Sequence, residues 1–175
     1  MIIVTGSART GTSMMMQTLM ILGYKGLADK FTEAHSKIKS YNPKGFYELE
    51  IEEIKKLNIN DEDTAVKVFG GCLPFLESYQ IDKMIVMKRN KKDAVKSSIP
   101  VFELLGYGQE YMTNLSYEMN YAIINKYIKR FSSIIINFED ITFSPEKDIR
   151  RLVEFLQLKV GEERIKLAIN NIKNN

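Results

Sequence analysis

Near its amino terminus the chain reads Ile2-Ile3-Val4-Thr5-Gly6-Ser7-Ala8-Arg9-Thr10-Gly11-Thr12-Ser13. A β-branched run stopped by glycine has the signature of a short buried strand, and Thr12 to Leu22 is apolar nearly all round, as a buried helix is. Gly23 follows where a helix needs a left-handed residue to end. Between strand and helix, Gly6 to Ser13 has the spacing G-x-x-x-x-G-x-[ST] of a phosphate-binding loop in the context such loops require. Two glycines let the backbone turn tightly, so that successive N–H groups and the positive end of the helix converge on one anion. Thr12 stands where an ATP or GTP hydrolase carries its lysine. The loop therefore lacks the usual neutralisation of β- and γ-phosphates that Mg²⁺-nucleotide chemistry relies on, and its cation is Arg9. A glycine-rich turn that binds nothing is the plainer alternative.

Outward from this stretch, strand and helix patterns alternate. Thr64–Phe69, Lys83–Lys88 and Ser133–Asn137 read as further strands. Asp93 to Ile99 reads as a short helix ended or kinked by Pro100. Glu110 to Arg130 reads as a longer helix with Met112, Leu115, Met119, Ala122 and Ile123 on its apolar face. Ser144 and Pro145 suit the first positions of a helix in which Ile149, Leu152, Val153 and Leu156 follow the i, i+3, i+4, i+7 rule. Residues 24 to 47 have weak periodicity and contain the turn signal Asn42-Pro43-Lys44-Gly45, with a helix expected from about Glu48 to Leu57. This alternation predicts an α/β domain with three layers, α/β/α, around a central parallel sheet, like the P-loop nucleotide hydrolases, in one domain spanning 1–175.

Composition narrows the chemistry. The 175 residues are 45% hydrophobic and 27% charged, enough for one core that removes about 70% of the extended chain's surface from water. Cys72 is the only cysteine and His35 the only histidine, so a disulfide framework, a multi-His centre and a Cys-rich zinc site are poorly supplied, and no metal is expected. With 25 Lys and Arg against 22 Asp and Glu, the formal charge of +3 does not argue for a nucleic-acid or membrane partner, and any anion site must be local. No run approaches the roughly 20 apolar residues that span a bilayer. The chain opens directly on a strand without a signal-peptide pattern and holds one thiol, so a soluble protein in a reducing cytoplasm is expected.

Ser7-Ala8-Arg9-Thr10-Gly11-Thr12-Ser13 resembles the 5′-phosphosulfate loop of sulfotransferases that use 3′-phosphoadenosine 5′-phosphosulfate, with Ala8 in place of proline and Thr10 in place of serine. Ile85 to Ser97 is similar to that family's 3′-phosphate motif, a strand ending in arginine, here Arg89, with a serine eight residues on, Ser97. Asn137-Phe138-Glu139-Asp140-Ile141, with Pro145, Leu152 and Phe155-Leu156, resembles its later strand and C-terminal helix. The resemblance implies transfer of a sulfuryl group to a hydroxyl or amine on a small molecule or glycan. Ser7, Ala8, Arg9, Thr10, Gly11, Thr12, Ser13, Arg89 and Ser97 would then hold the co-substrate. Residues 83 to 96 carry six basic side chains against Asp93 alone, of which Lys91, Lys92 and Lys96 read as solvated and Arg89 as the phosphate ligand. Arg9 suits the charge that builds on the leaving phosphate oxygen.

For the general base, Lys67-Val68-Phe69-Gly70-Gly71-Cys72-Leu73-Pro74 resembles a family segment that bears a histidine, absent here. Asn42 to Glu48 resembles a segment of bacterial relatives, which makes Glu48 the candidate base, with His35 as the alternative and Lys67 as a weaker site residue. Glu48 also suits a helix N-terminus with no further role. The family's C-terminal Arg-Lys-Gly segment has no counterpart after Leu156. Two other functions compete: a P-loop kinase for nucleotides or small molecules, and a nucleotide-binding module without a working base. The acceptor and the oligomeric state are not legible.

Overall fold

A computed structural model describes residues 1–27, 33–49, 63–106 and 110–174. Strands β1 (Ile2–Gly6), β2 (Lys25–Gly26), β3 (Thr64–Phe69), β4 (Lys83–Lys88) and β5 (Ser133–Asn137) form one parallel sheet in the order β2-β3-β1-β4-β5. The helices are α1 (Thr12–Leu22), α2 (Lys91–Leu104), α3 (Glu110–Ile128), α4 (Phe138–Phe143), α5 (Pro145–Leu156) and α6 (Glu162–Lys173), with 3₁₀ segments at Glu33–Tyr41 and Gly70–Leu76. Every residue of β1 is buried, as befits the middle strand of a sheet covered on both faces.

Successive side chains of the strands divide between two cores. Ile2, Val4, Ile85, Met87, Ile134 and Ile136 pack with α1, α4, α5 and α6 on one face, while Ile3, Val66, Val68, Met84 and Val86 pack with Gly70–Leu76, α2 and α3 on the other. The chain thus leaves β1 for the first face and β4, its neighbour, for the second. Where connections part in this way, an open parallel sheet leaves a crevice beyond the carboxyl ends of its strands.

The four expected strands and α1 have the expected bounds, and Gly23 ends α1 in the left-handed region (φ 116°), its N–H turned back to Leu19 and Met20. Pro145 opens α5, whose Ile149, Leu152 and Leu156 are buried as expected. Three readings are corrected. First, α2 does not stop at Pro100: Asn90 accepts the Lys92 N–H at its start, and Val101 beyond the proline is buried against Ile38 and Phe46, so packing retains a helix that proline weakens. Second, α3 buries Tyr117, Tyr121, Ile124 and Tyr127, whereas Leu115 and Met119 are exposed at 39% and 56%. Tyrosine serves as the core residue here because its hydroxyl finds buried acceptors. Third, Cys72, which as a lone thiol reads as a small buried apolar side chain, is half-buried at the edge of the second core.

Helix α6 was not expected, although Ile165, Ala168, Ile169 and Ile172 carry the helical repeat and are buried. The helix expected from Glu48 lies outside the described residues from position 50 onward, and Glu48 itself forms a parallel β-bridge with Lys67. Among the described residues no helix is long and apolar enough to cross a membrane.

Leu152, fully buried in the first core, and Leu167, 52% exposed on α6, make a matched pair of tests. Denaturant unfolding should show Leu152→Ala losing about 2–5 kcal/mol, whereas Leu167→Ala stays within about 0.5 kcal/mol of the parent.

Candidate active site

The loop Gly6–Thr12 lies beyond the carboxyl end of β1, where the topology places the crevice. Arg9 and Gly11 both take positive φ, 60° and 92°, on either side of the buried Thr10, whose hydroxyl donates to the Ser7 carbonyl at 2.7 Å. Gly11 meets two demands at once: a Cβ there would lie 2.7 Å from Cδ2 of Phe138, and the left-handed backbone is costly to other residues. Gly11 also occupies the N-cap of α1, and neither a side-chain cap nor an acidic residue in the first turn neutralises that end among the described residues. The positive end of α1 is left for an anion.

Arg89 follows the last residue of β4. Its Nη1 donates to the Arg9 carbonyl at 3.1 Å, and its guanidinium lies over the Phe138 ring, 4.5 Å from the centroid. Phe138 opens α4 directly after β5, so three strand ends contribute to one place. The Nε of Arg89 is buried and has no hydrogen-bond partner among the described residues. Arg9 donates from Nε to Ser97 Oγ and from Nη1 to the Tyr41 carbonyl, both at 3.1 Å. Burial, and next the Arg89 charge, hold the Arg9 guanidinium below its ordinary pKa. Neither arginine forms an ion pair among the described residues. Among the described residues, the acceptors that meet the two cations are neutral: Ser97 Oγ, the Tyr41 carbonyl and the Arg9 carbonyl.

Beside this pair lies a second cluster. Phe46 to Leu49 runs along the edge of β3 beyond β2, with Glu48 bridged to Lys67 and the Leu49 N–H donating to the Lys67 carbonyl at 3.3 Å. The buried Lys67 Nζ donates to the Phe46 carbonyl at 2.8 Å and to Ser13 Oγ at 3.2 Å, and it lies 3.6 Å from Glu48 Oε2. Ser13 Oγ in turn donates to the same Phe46 carbonyl at 3.1 Å. Burial pushes the Lys67 ammonium down, Glu48 pulls it back up, and Arg9 adds to the lowering.

The residues singled out in the sequence therefore gather at one end of the sheet. Ser7, Ala8, Arg9, Thr10, Gly11, Thr12 and Ser13 form the loop, Arg89 and Ser97 flank it, and Glu48 and Lys67 meet at its far side. The hydroxyl of Ser97, expected to act with Arg89, accepts from Arg9. Lys91, Lys92 and Lys96 are exposed, as expected of solvated lysines. The His35 side chain lies outside the described residues. Phe138, Phe46 and the Tyr41 carbonyl were not anticipated, and Phe138 alone had a usable signal, its place immediately after a strand.

No protein-family model and no curated protein matches the sequence. Solved structures do. The chain is similar to a sulfotransferase from Alicyclobacillus acidocaldarius, with TM-score 0.55 and 15% identity over 99% of this chain and 94% of that one. It is similar to the sulfotransferase domain from the curacin biosynthetic pathway, with TM-score 0.59 and 13% identity over 93% and 75% of the two chains. The sulfotransferase domain from the Synechococcus PCC 7002 olefin synthase gives TM-score 0.55 and 12% identity over 100% and 77%. At these identities the likeness is one of fold.

Two predictions arise from the site. Gly11→Ala should cost about 1–3 kcal/mol in denaturant unfolding, through the strained backbone and the overlap with Phe138. For Lys67 the folded pKa lies below the unfolded one, so the unfolded chain holds more protons between the two values and stability rises with pH across that window. Unfolding curves up to pH 10.5 should show the parent gaining on Lys67→Met as pH climbs, and equal slopes would refute the assignment.

Proposed function

We propose, from the premise that the chain carries the sulfotransferase fold, that it moves a sulfuryl group from 3′-phosphoadenosine 5′-phosphosulfate to a hydroxyl or amine acceptor. The observation that carries this reading is the meeting of Arg9 and Arg89 in the crevice at the strand ends without an anionic partner among the described residues. A doubly anionic nucleotide suits that arrangement: it relieves the repulsion between the guanidinium groups and offers an acceptor to the unmatched Arg89 Nε. The donor supplies an activated sulfuryl group whose leaving group is a phosphate anion.

The remaining roles fall to this chain. The loop N–H groups, the start of α1 and Arg9 bind the phosphosulfate end and stabilise the negative charge that builds on the leaving oxygen, in a site arranged beforehand. Arg89, backed by the Phe138 ring, binds the 3′-phosphate. Glu48 accepts the acceptor's proton as the new oxygen–sulfur or nitrogen–sulfur bond forms and the sulfur–oxygen bond to phosphate breaks, its electron pair leaving with the phosphate. Lys67, fixed by the Phe46 carbonyl and Ser13, holds the Glu48 carboxylate at the edge of β3. The kinase reading finds no support, since Thr12 stands in place of the loop lysine.

Calorimetry should detect binding of 3′,5′-adenosine bisphosphate, and ATP with Mg²⁺ should bind much more weakly; the reverse order would overturn the reading. Arg89→Ala should weaken bisphosphate binding by roughly 10- to 100-fold, as loss of charge-assisted bonds does. Glu48→Gln should leave binding within about twofold and lower transfer to any acceptor found in a labelled-donor screen, by roughly 100-fold or more.

A further inference from the structure

We infer that Tyr117 and Tyr121 of α3 are positioning residues for the arginine pair, an inference that rests on the donor reading above. Both side chains are buried, and their rings lie 4.6 Å apart at 47°. Their hydroxyls do not stop in the core. Tyr121 donates to the Met87 carbonyl and Tyr117 to the Arg89 carbonyl, each at 2.7 Å.

These two carbonyls sit where the sheet comes apart. The ladder between β1 and β4 ends at Thr5 and Val86, whereas β4 and β5 stay paired through Lys88 and Asn137. Beyond Val86 the β1 side of β4 has lost its strand neighbour, and the Met87 carbonyl points there, 2.8 Å from where a Cβ on Gly6 would stand. A buried carbonyl requires a donor, and the Tyr121 hydroxyl takes the place of the missing strand. The same hydroxyl lies against the Thr10 side chain and the Ser7 backbone, so it joins the end of β4 to the loop that carries Arg9. Tyr117 fixes the main chain of Arg89 itself.

The pair thereby sets the separation between two groups that repel each other. With Arg89 Nη1 on the Arg9 carbonyl and Phe138 beneath the guanidinium, the Tyr117 bond completes a three-way hold on Arg89. Loss of the Tyr117 hydroxyl lets the Arg89 end drift while the loop stays in place. Loss of the Tyr121 hydroxyl loosens both. Burial keeps the Tyr121 phenol well above its ordinary pKa, so it remains a donor across the working range.

Tyr117→Phe and Tyr121→Phe keep the rings and remove only the hydroxyls. Calorimetry with 3′,5′-adenosine bisphosphate and with 5′-AMP, which lacks the 3′-phosphate, separates the two ends of the site. Tyr117→Phe should weaken the bisphosphate roughly three- to tenfold and leave 5′-AMP within about twofold, and in an Arg89→Ala background it should add nothing. Tyr121→Phe should weaken both nucleotides. A structural role alone lowers the melting temperature without moving the ratio of the two affinities, so a Tyr117→Phe protein with an unchanged ratio overturns the inference while leaving the donor reading intact. A parent protein that ignores the bisphosphate overturns the donor reading and this inference with it.

Discussion

Two guanidinium groups share one crevice, and the cost of keeping them there organises the rest of the molecule. Like charges brought together in a partly buried site repel by an amount that water screens poorly. Burial first, and the Arg89 charge second, hold the Arg9 pKa below its ordinary value. Carboxylates would remove the repulsion, and with it the positive charge of the pair. The chain uses neutral acceptors instead: Ser97 Oγ and the Tyr41 carbonyl for Arg9, and the Arg9 carbonyl for Arg89. The last of these depends on the left-handed Arg9 backbone, so the strain in the loop and the placement of the second cation are one feature.

The Glu48–Lys67 cluster is built on the opposite principle. There a cation is deeply buried, but a carboxylate lies 3.6 Å away and a carbonyl and a hydroxyl accept its protons. Charge is balanced locally, as burial demands. The crevice thus has a cation-rich half and a balanced half, joined through Ser13 at the start of α1. On the proposed donor reading, the phosphates belong in the first half, away from the Glu48 carboxylate.

Much of this was legible because alternating strands and helices bring strand ends together whatever the intervening residues are. Arg9 after β1 and Arg89 after β4 needed only that rule to become neighbours. Other parts depended on information that lies between segments. The apolar pattern of α3 points to Leu115 and Met119, yet the helix turns its tyrosines inward because unpaired carbonyls at the end of β4 need donors, a demand that exists only once β1 and β4 diverge. The bridge of Glu48 to Lys67 is likewise a pairing of edges, invisible to any local period. Pro100 misled for a related reason: the helix beyond it is sustained by Val101 against Ile38 and Phe46, contacts from another part of the chain.

The choice of arginine at position 89 and lysine at position 67 follows from the same geometry. Lys67 presents a compact charge to a carbonyl, a hydroxyl and a carboxylate arranged around one nitrogen, a task for an ammonium. Arg89 must lay a flat face on Phe138, send one N–H to the Arg9 carbonyl, and carry a further buried donor, Nε, on the same planar group. Only a planar group with donors spread along its edge meets all three demands at once. On the proposed donor reading, this Nε is the donor that a phosphate oxygen would meet.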